Sequence, residues 1–118
     1  MHDPAKIIYK IVTHEQWREA EATGIFKGAP VDLADGFIHF STASQVKETA
    51  AKHFTGQANL LLVSVEGDAL GKALSYEPSR GGDLFPHLYD EMPLSIVNEV
   101  TELPLGEDGK HIFPEALE

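Results

Sequence analysis

The six residues Leu60–Val65 read LLLVSV, and Ser64 alone among them is polar. A run this short reads as a strand, and a strand apolar at consecutive positions has to be covered on both faces. That requirement fixes the architecture more than any other stretch does: a central strand with apolar partners above and below. A chain of 118 residues has room for one such core, burying roughly two thirds of its unfolded surface without staples. The longest uninterrupted apolar stretch, Leu60–Val63, falls far short of the roughly 18 residues that span a bilayer.

Around this strand the signals alternate. Ile7–Val12 (IIYKIV) is β-branched and aromatic and reads as a strand. Thr13 with Gln16 has capping-box spacing, predicting a helix to about Thr23 that Gly24 ends in a left-handed turn. Asp35-Gly36 is turn chemistry, and Phe37–Ser41 (FIHFS) alternates as a strand after it. Thr42 with Gln45 repeats the capping-box spacing, and Val46, Ala50, His53 and Phe54 then share one helical face. Glu66-Gly67-Asp68 turns the chain, Leu74–Glu77 reads as a short strand, Pro78–Asp83 as a loop and Ser95–Leu103 as a final strand. The order predicts a single α+β domain over residues 1–118, with a mixed or antiparallel sheet and two main helices. Residues 104–118 form an acidic tail that either wraps the body or frays. Five acids and one lysine lie between Glu102 and Glu118.

Nine Lys and Arg against 19 Asp and Glu leave a formal charge of −10. Such a balance disfavours long nucleic acid and anionic membranes, though it permits a small phosphorylated ligand in a local basic pocket. The absence of cysteine rules out disulfides, thiolate catalysis and cysteine metal sites, and makes the cytoplasm the default location. Met1–Lys6 lacks the apolar core of a secretory signal.

The chemistry available is therefore imidazole, hydroxyl and guanidinium. On the Phe37–Ser41 strand, alternation puts Ile38 and Phe40 on a core face, with Phe37, His39 and Ser41 opposite. His39 and Ser41 then stand just before a helix N-terminus, where an anion or polarised carbonyl is favoured. The alternative is a structural histidine beside a capping hydroxyl. In Tyr76–Asp83 (YEPSRGGD), Gly81 and Gly82 permit close backbone approach, and Arg80 offers a fork for phosphate. Equally, Glu77 and Asp83 can pair with Arg80 in an ordinary surface turn. In Phe85–Tyr89 (FPHLY), His87 and the aromatics suit stacking on a base or sugar, or are core residues with polar tips, Tyr89 more readily than His87. Lys10 shares a face with Ile8 and Val12, and either snorkels from the strand end or reaches a pocket. No HExxH zinc spacing, GxSxG elbow, Walker loop or dinucleotide fingerprint is present.

Two segments, Asp35–Thr42 (DGFIHFST) and Tyr76–Tyr89 (YEPSRGGDLFPHLY), with the opening Ile8–Ile11 strand, resemble the bacterial family known as domain of unknown function 952. The resemblance covers roughly residues 7–103. That family is grouped by fold with ADP-ribosyltransferase-like proteins, which bind NAD between two short sheets, so the resemblance implies a split sheet and a nucleotide ligand. Gly36–Thr42 resembles the second signature of the ADP-ribosyltransferases, with His39 at its aromatic position; Lys10 or a near neighbour lies where their first-strand histidine is expected. For the ADP-ribosyltransferases' third signature, a Glu or Gln on a later strand, Glu91 and Glu99 are the nearby options. On this reading His39 and Ser41 contact ribose or pyrophosphate, with His87 the third catalytic candidate. Arg80, Gly81 and Gly82 receive phosphate, Tyr76 or His87 meets the base or ribose, and Lys10 completes a locally cationic cleft. The alternative is a non-catalytic module binding a small anionic metabolite or a protein. A plain α+β domain with structural histidines is the remaining reading.

Overall fold

A computed structural model describes residues 7–78 and 82–114. β1 (Ile7–Thr13) leads into α1 (His14–Thr23). The Thr13 hydroxyl accepts from Gln16 N–H at 3.0 Å, and Thr13 N–H donates to Gln16 Oε1 at 2.9 Å, so the capping box forms as its spacing requires. Gly24 closes the helix at φ 81°. A two-residue β2 (Ile25–Phe26) and a short helix, α2 (Pro30–Asp35), follow. Then come β3 (Ile38–His39), β4 (Ser41–Thr42), α3 (Ala43–His53) and β5 (Leu60–Glu66). A 3₁₀ segment, Gly67–Ala73, precedes β6 (Leu74–Pro78), β7 (Leu84–Leu88), β8 (Met92–Pro93) and β9 (Val97–Leu103).

Among the described residues every strand pairing is antiparallel, so no sheet is mixed. One sheet runs β4-β1-β5-β9, a second β3-β7-β6, and β2 pairs with β8. β5 lies between β1 and β9, and both its faces are covered. Val63 and Val65 join Ile8, Val12, Trp17 of α1, Ile38, Phe40 and Leu88 in one cluster. Leu60 and Leu62 join Tyr9, Ile11, Val46 and Ala50 of α3, and Leu103 in the other. The second sheet and α1 thus cover one side of the first sheet, and α3 covers the other.

The segment expected as one strand, Phe37–Ser41, serves two sheets. Ile38 and His39 stand opposite Leu88 and His87 of β7, and Ser41 and Thr42 opposite Tyr9 and Ile8 of β1. The break falls at Phe40, whose N–H donates to the Pro86 carbonyl at 2.9 Å. Pro86 has no N–H to return, so the ladder ends there and the chain crosses to the other sheet. Ile38 and Phe40 still both reach the core, as alternation requires.

Two other expectations change. His53 shares the face of Val46 and Ala50 by spacing, yet it is exposed in the last turn of α3; Phe54, at the cap, packs into the cluster instead. α2 appears where the sequence reading had no helix. Pro30 at its first turn and Gly36 after its end at φ 87° were its local signals. A Cβ at Gly36 would meet no atom within 4 Å. Gly36→Ala is therefore expected to cost about 1 kcal/mol in urea unfolding, from backbone strain alone. After β9, Leu105 bridges His111, His111 Nε2 lies 2.8 Å from the Gln57 carbonyl, and Phe113 packs on the α3-side cluster. As far as residue 114 the acidic tail wraps the body.

Candidate functional site

The second sheet has an apolar and a polar face, and strand alternation sorts its side chains between them. Leu88 stands opposite Ile38 on one side and Leu74 on the other, and all three face the core. The opposite face therefore carries His87 beside its register partner His39, with Phe37 and Tyr89 next along the strands. The Phe37 ring stacks on His87 at a centroid distance of 4.2 Å and lies 4.6 Å from His39 and 5.2 Å from Tyr89. The two imidazoles meet edge to face at 5.6 Å. Tyr89 is 50% exposed and His87 only 7%. The sequence-based ranking of these two is thus reversed: Tyr89 lies beyond the strand end, while the Phe37 ring covers His87.

Behind His39 lies Asp32 of α2, 2% exposed. One of its oxygens is 2.6 Å from His39 Nδ1, 2.9 Å from Lys10 Nζ and 3.1 Å from the His39 backbone N–H, which donates to it. The other accepts from Ala29 N–H at 2.7 Å and also lies 2.9 Å from Lys10 Nζ. Burial opposes ionisation of Asp32, but the His39 hydrogen bond, the Lys10 charge and the remaining donors outweigh it and hold its pKa at about 2. Burial pulls Lys10 below the ordinary lysine value, and the Asp32 charge and hydrogen bond only partly offset it. The carboxylate, with several donors, is the better stabilised partner of the pair. Lys10 does not snorkel: it is 7% exposed and spans from the first sheet to the carboxylate at the edge of the second.

Each histidine of the face has its own carboxylate. His39 Nε2 lies 2.9 Å from Asp35 Oδ2, so both of its ring nitrogens are engaged. His87 Nδ1 lies 2.8 Å from Glu77 Oε1, and the Tyr89 hydroxyl donates to the same oxygen at 2.5 Å. The Tyr89 and His87 hydrogen bonds hold Glu77 below the usual carboxylate range, and the Glu77 bond pushes the Tyr89 hydroxyl up. The expected cationic cleft is instead a face on which Lys10, His39 and His87 are each answered by a carboxylate.

Of the residues singled out from sequence, Lys10, His39 and His87 come together here. Ser41 belongs to the other sheet, where its buried hydroxyl lies 3.0 Å from Thr49 Oγ1 of α3. Tyr76 alternates with Glu77 on β6 and so projects from the opposite face; burial and Asp68 raise its pKa. Gly82 is an exposed bend at φ 91°, and Arg80 and Gly81 lie outside the described residues. Glu91 is exposed beside β8, and Glu99 sits on β9 of the other sheet. The carboxylate next to the histidines is Glu77. Sequence reasoning missed Asp32 and Asp35 as partners of His39, because no pattern announces a contact seven residues away across a helix cap. The pair at His39 and Asp35 has a helical i, i+4 interval, but a turn and a strand separate them.

A groove of about 590 Å³ runs elsewhere, between α1 and the segment from Ile25 to Leu33, and none of these site residues lines it. No group of three or more metal-ligating side chains occurs among the described residues. No helix among them is long and apolar enough to cross a membrane.

Residues 11–100 match the model of the family described as protein of unknown function, DUF952. The crystal structure of protein CC0527 from Caulobacter crescentus is 51% identical and superposes with a TM-score of 0.87, over 90% of this chain and 93% of that one. The solution NMR structure of CC0527 is 52% identical, with a TM-score of 0.81 over 88% and 90% of the two chains. No curated protein matches the chain. The fold and the length of the matched segment agree, and this chain belongs to the DUF952 family.

Proposed function

We propose that the polar face of the second sheet binds NAD or a closely related nucleotide. The observation that carries this reading is the ring cluster Phe37, His39, His87 and Tyr89, bordered by the carboxylates of Glu77 and Asp35. Aromatic faces with adjacent negative charge suit a planar cation, and the nicotinamide ring attached to ribose is one. As the N-glycosidic bond of such a ligand lengthens, positive charge moves to the ribosyl carbon, where a fixed carboxylate lowers the barrier electrostatically. Glu77, rather than Glu91 or Glu99, is the residue suited to that task. The resemblance of Gly36–Thr42 to the ADP-ribosyltransferase-like proteins supports the same ligand. Arg80 and its glycines are assigned to the phosphates.

Titration with NAD and ADP-ribose, followed by backbone amide shifts, tests the reading. Movement of the amides at residues 37–39 and 87–89 is expected, and their silence at millimolar ligand sinks it. Phe37→Ala is expected to weaken NAD binding about 10-fold, the scale of one lost stacking partner. The second reading, binding without chemistry, is favoured by the Asp35 contact that occupies His39 Nε2. The two readings part on whether bound NAD releases nicotinamide.

A further inference from the structure

Resting on that nucleotide reading, we propose that His87 is the general base that activates water against the ribosyl carbon, making the site hydrolytic. Its surroundings differ from those of His39 in the way a base requires. His87 is more than nine-tenths buried, its ring lies against Phe37, and its Nδ1 is tied to Glu77 at 2.8 Å. Glu77 accepts and cannot donate when ionised, so Nδ1 carries the proton and Nε2 carries the lone pair. Nε2 has no partner among the described residues, while none of their fully buried side-chain nitrogens or oxygens is unpartnered. No described residue therefore competes with water for this nitrogen. His39, with both nitrogens engaged by carboxylates, offers no nitrogen to water and acts as a positioning residue.

In the step, an O–H bond of water breaks and its proton passes to His87 Nε2 while the water oxygen bonds to C1′. The C1′–N bond breaks, and its electron pair returns to the nicotinamide ring nitrogen, cancelling that ring's positive charge. The products are nicotinamide and ADP-ribose, and the proton on Nε2 is released to solvent. Glu77 from β6 and Tyr89 after β7 face the base directly. His39 from β3 meets its ring edge, and Asp32 and Asp35 from α2 and Lys10 from β1 stand behind His39. A general base gives a rate that rises with pH.

The experiment follows nicotinamide release from NAD by chromatography, with amide shifts as a separate binding readout. His87→Asn keeps a donor near the position of Nδ1 and removes Nε2. It is expected to cut release by about 10²–10⁴-fold with NAD held well above the variant's own dissociation constant, which the amide shifts supply. Shifts in the unmodified protein with no nicotinamide released overturn the base and leave the binding reading intact. Absence of both shifts and release overturns the reading on which the base rests. Release from His87→Asn at the unmodified rate also overturns the base. Should that variant not fold, the ascending limb of the pH–rate profile of the unmodified protein must coincide with the titration of the His87 ring followed by NMR; a mismatch overturns the proposal.

Discussion

Asp32→Ala is expected to lower the stability of this domain by about 3–5 kcal/mol in urea unfolding, the scale of breaking a buried ion pair by removing one partner. The substitution strands the Lys10 ammonium in the core and leaves the N–H groups of Ala29 and His39 without their acceptor. Lys10→Met should cost clearly less, because Asp32 keeps its other donors. A double variant should be more stable than the two single losses sum to, since the second change removes the charge the first exposed. A loss below about 1 kcal/mol for Asp32→Ala would mean that the ammonium escapes to solvent and that the pair does not anchor the fold. The same carboxylate sets an acid limb. Its pKa of about 2, against an ordinary 3.8, lies lower in the folded chain, so folding is favoured while Asp32 is ionised. That contribution, about 2 kcal/mol, is complete above roughly pH 4 and disappears as pH falls through 2. Unfolding free energies from pH 5 to pH 2 should show it, and Asp32→Asn should flatten the profile over that range.

The second large effect lies at the crossing between sheets. Phe40 is 2% exposed and packs with Ile8, Ile38, Val63 and Leu88 in the core cluster. Phe40→Ala is expected to cost about 3–5 kcal/mol through lost burial and a residual cavity. Because Phe40 adjoins His39, the amide spectrum of the variant should also change across residues 37–41. A measured loss below about 1.5 kcal/mol would show that the two sheets close over the gap. Phe37→Ala, three residues away on the polar face, should affect binding far more than stability.

The sequence made the first sheet and its helices readable because their signals are local. The apolar run at Leu60–Val65 needs cover on both faces wherever it folds, and Thr13 and Gln16 meet within one helical turn. The second sheet was harder to read. Pro86 resembles a strand breaker, yet it sits inside β7, tolerated where the opposing strand leaves the ladder. Strand alternation correctly placed His39 opposite the core face, but it also joined Ser41 to His39, and only the partner strand reveals the break between them. The carboxylates of the site were the least legible. Asp32 precedes His39 by seven residues across a helix cap and Glu77 precedes His87 by ten across a loop, so no single helix or strand whose periodicity could pair them runs between them.

The atoms that orient the ligand face are also atoms that hold the domain together. Asp32 fastens Lys10 of one sheet, the cap of α2 and the ring of His39 through a single carboxylate. A compound that immobilises His39 must therefore tighten a strut of the whole structure, and its affinity will register as resistance to heat. A collection of nucleotides can be sorted by melting temperature alone, without any assay of the reaction, and Asp32→Asn supplies the control in which that resistance should fade.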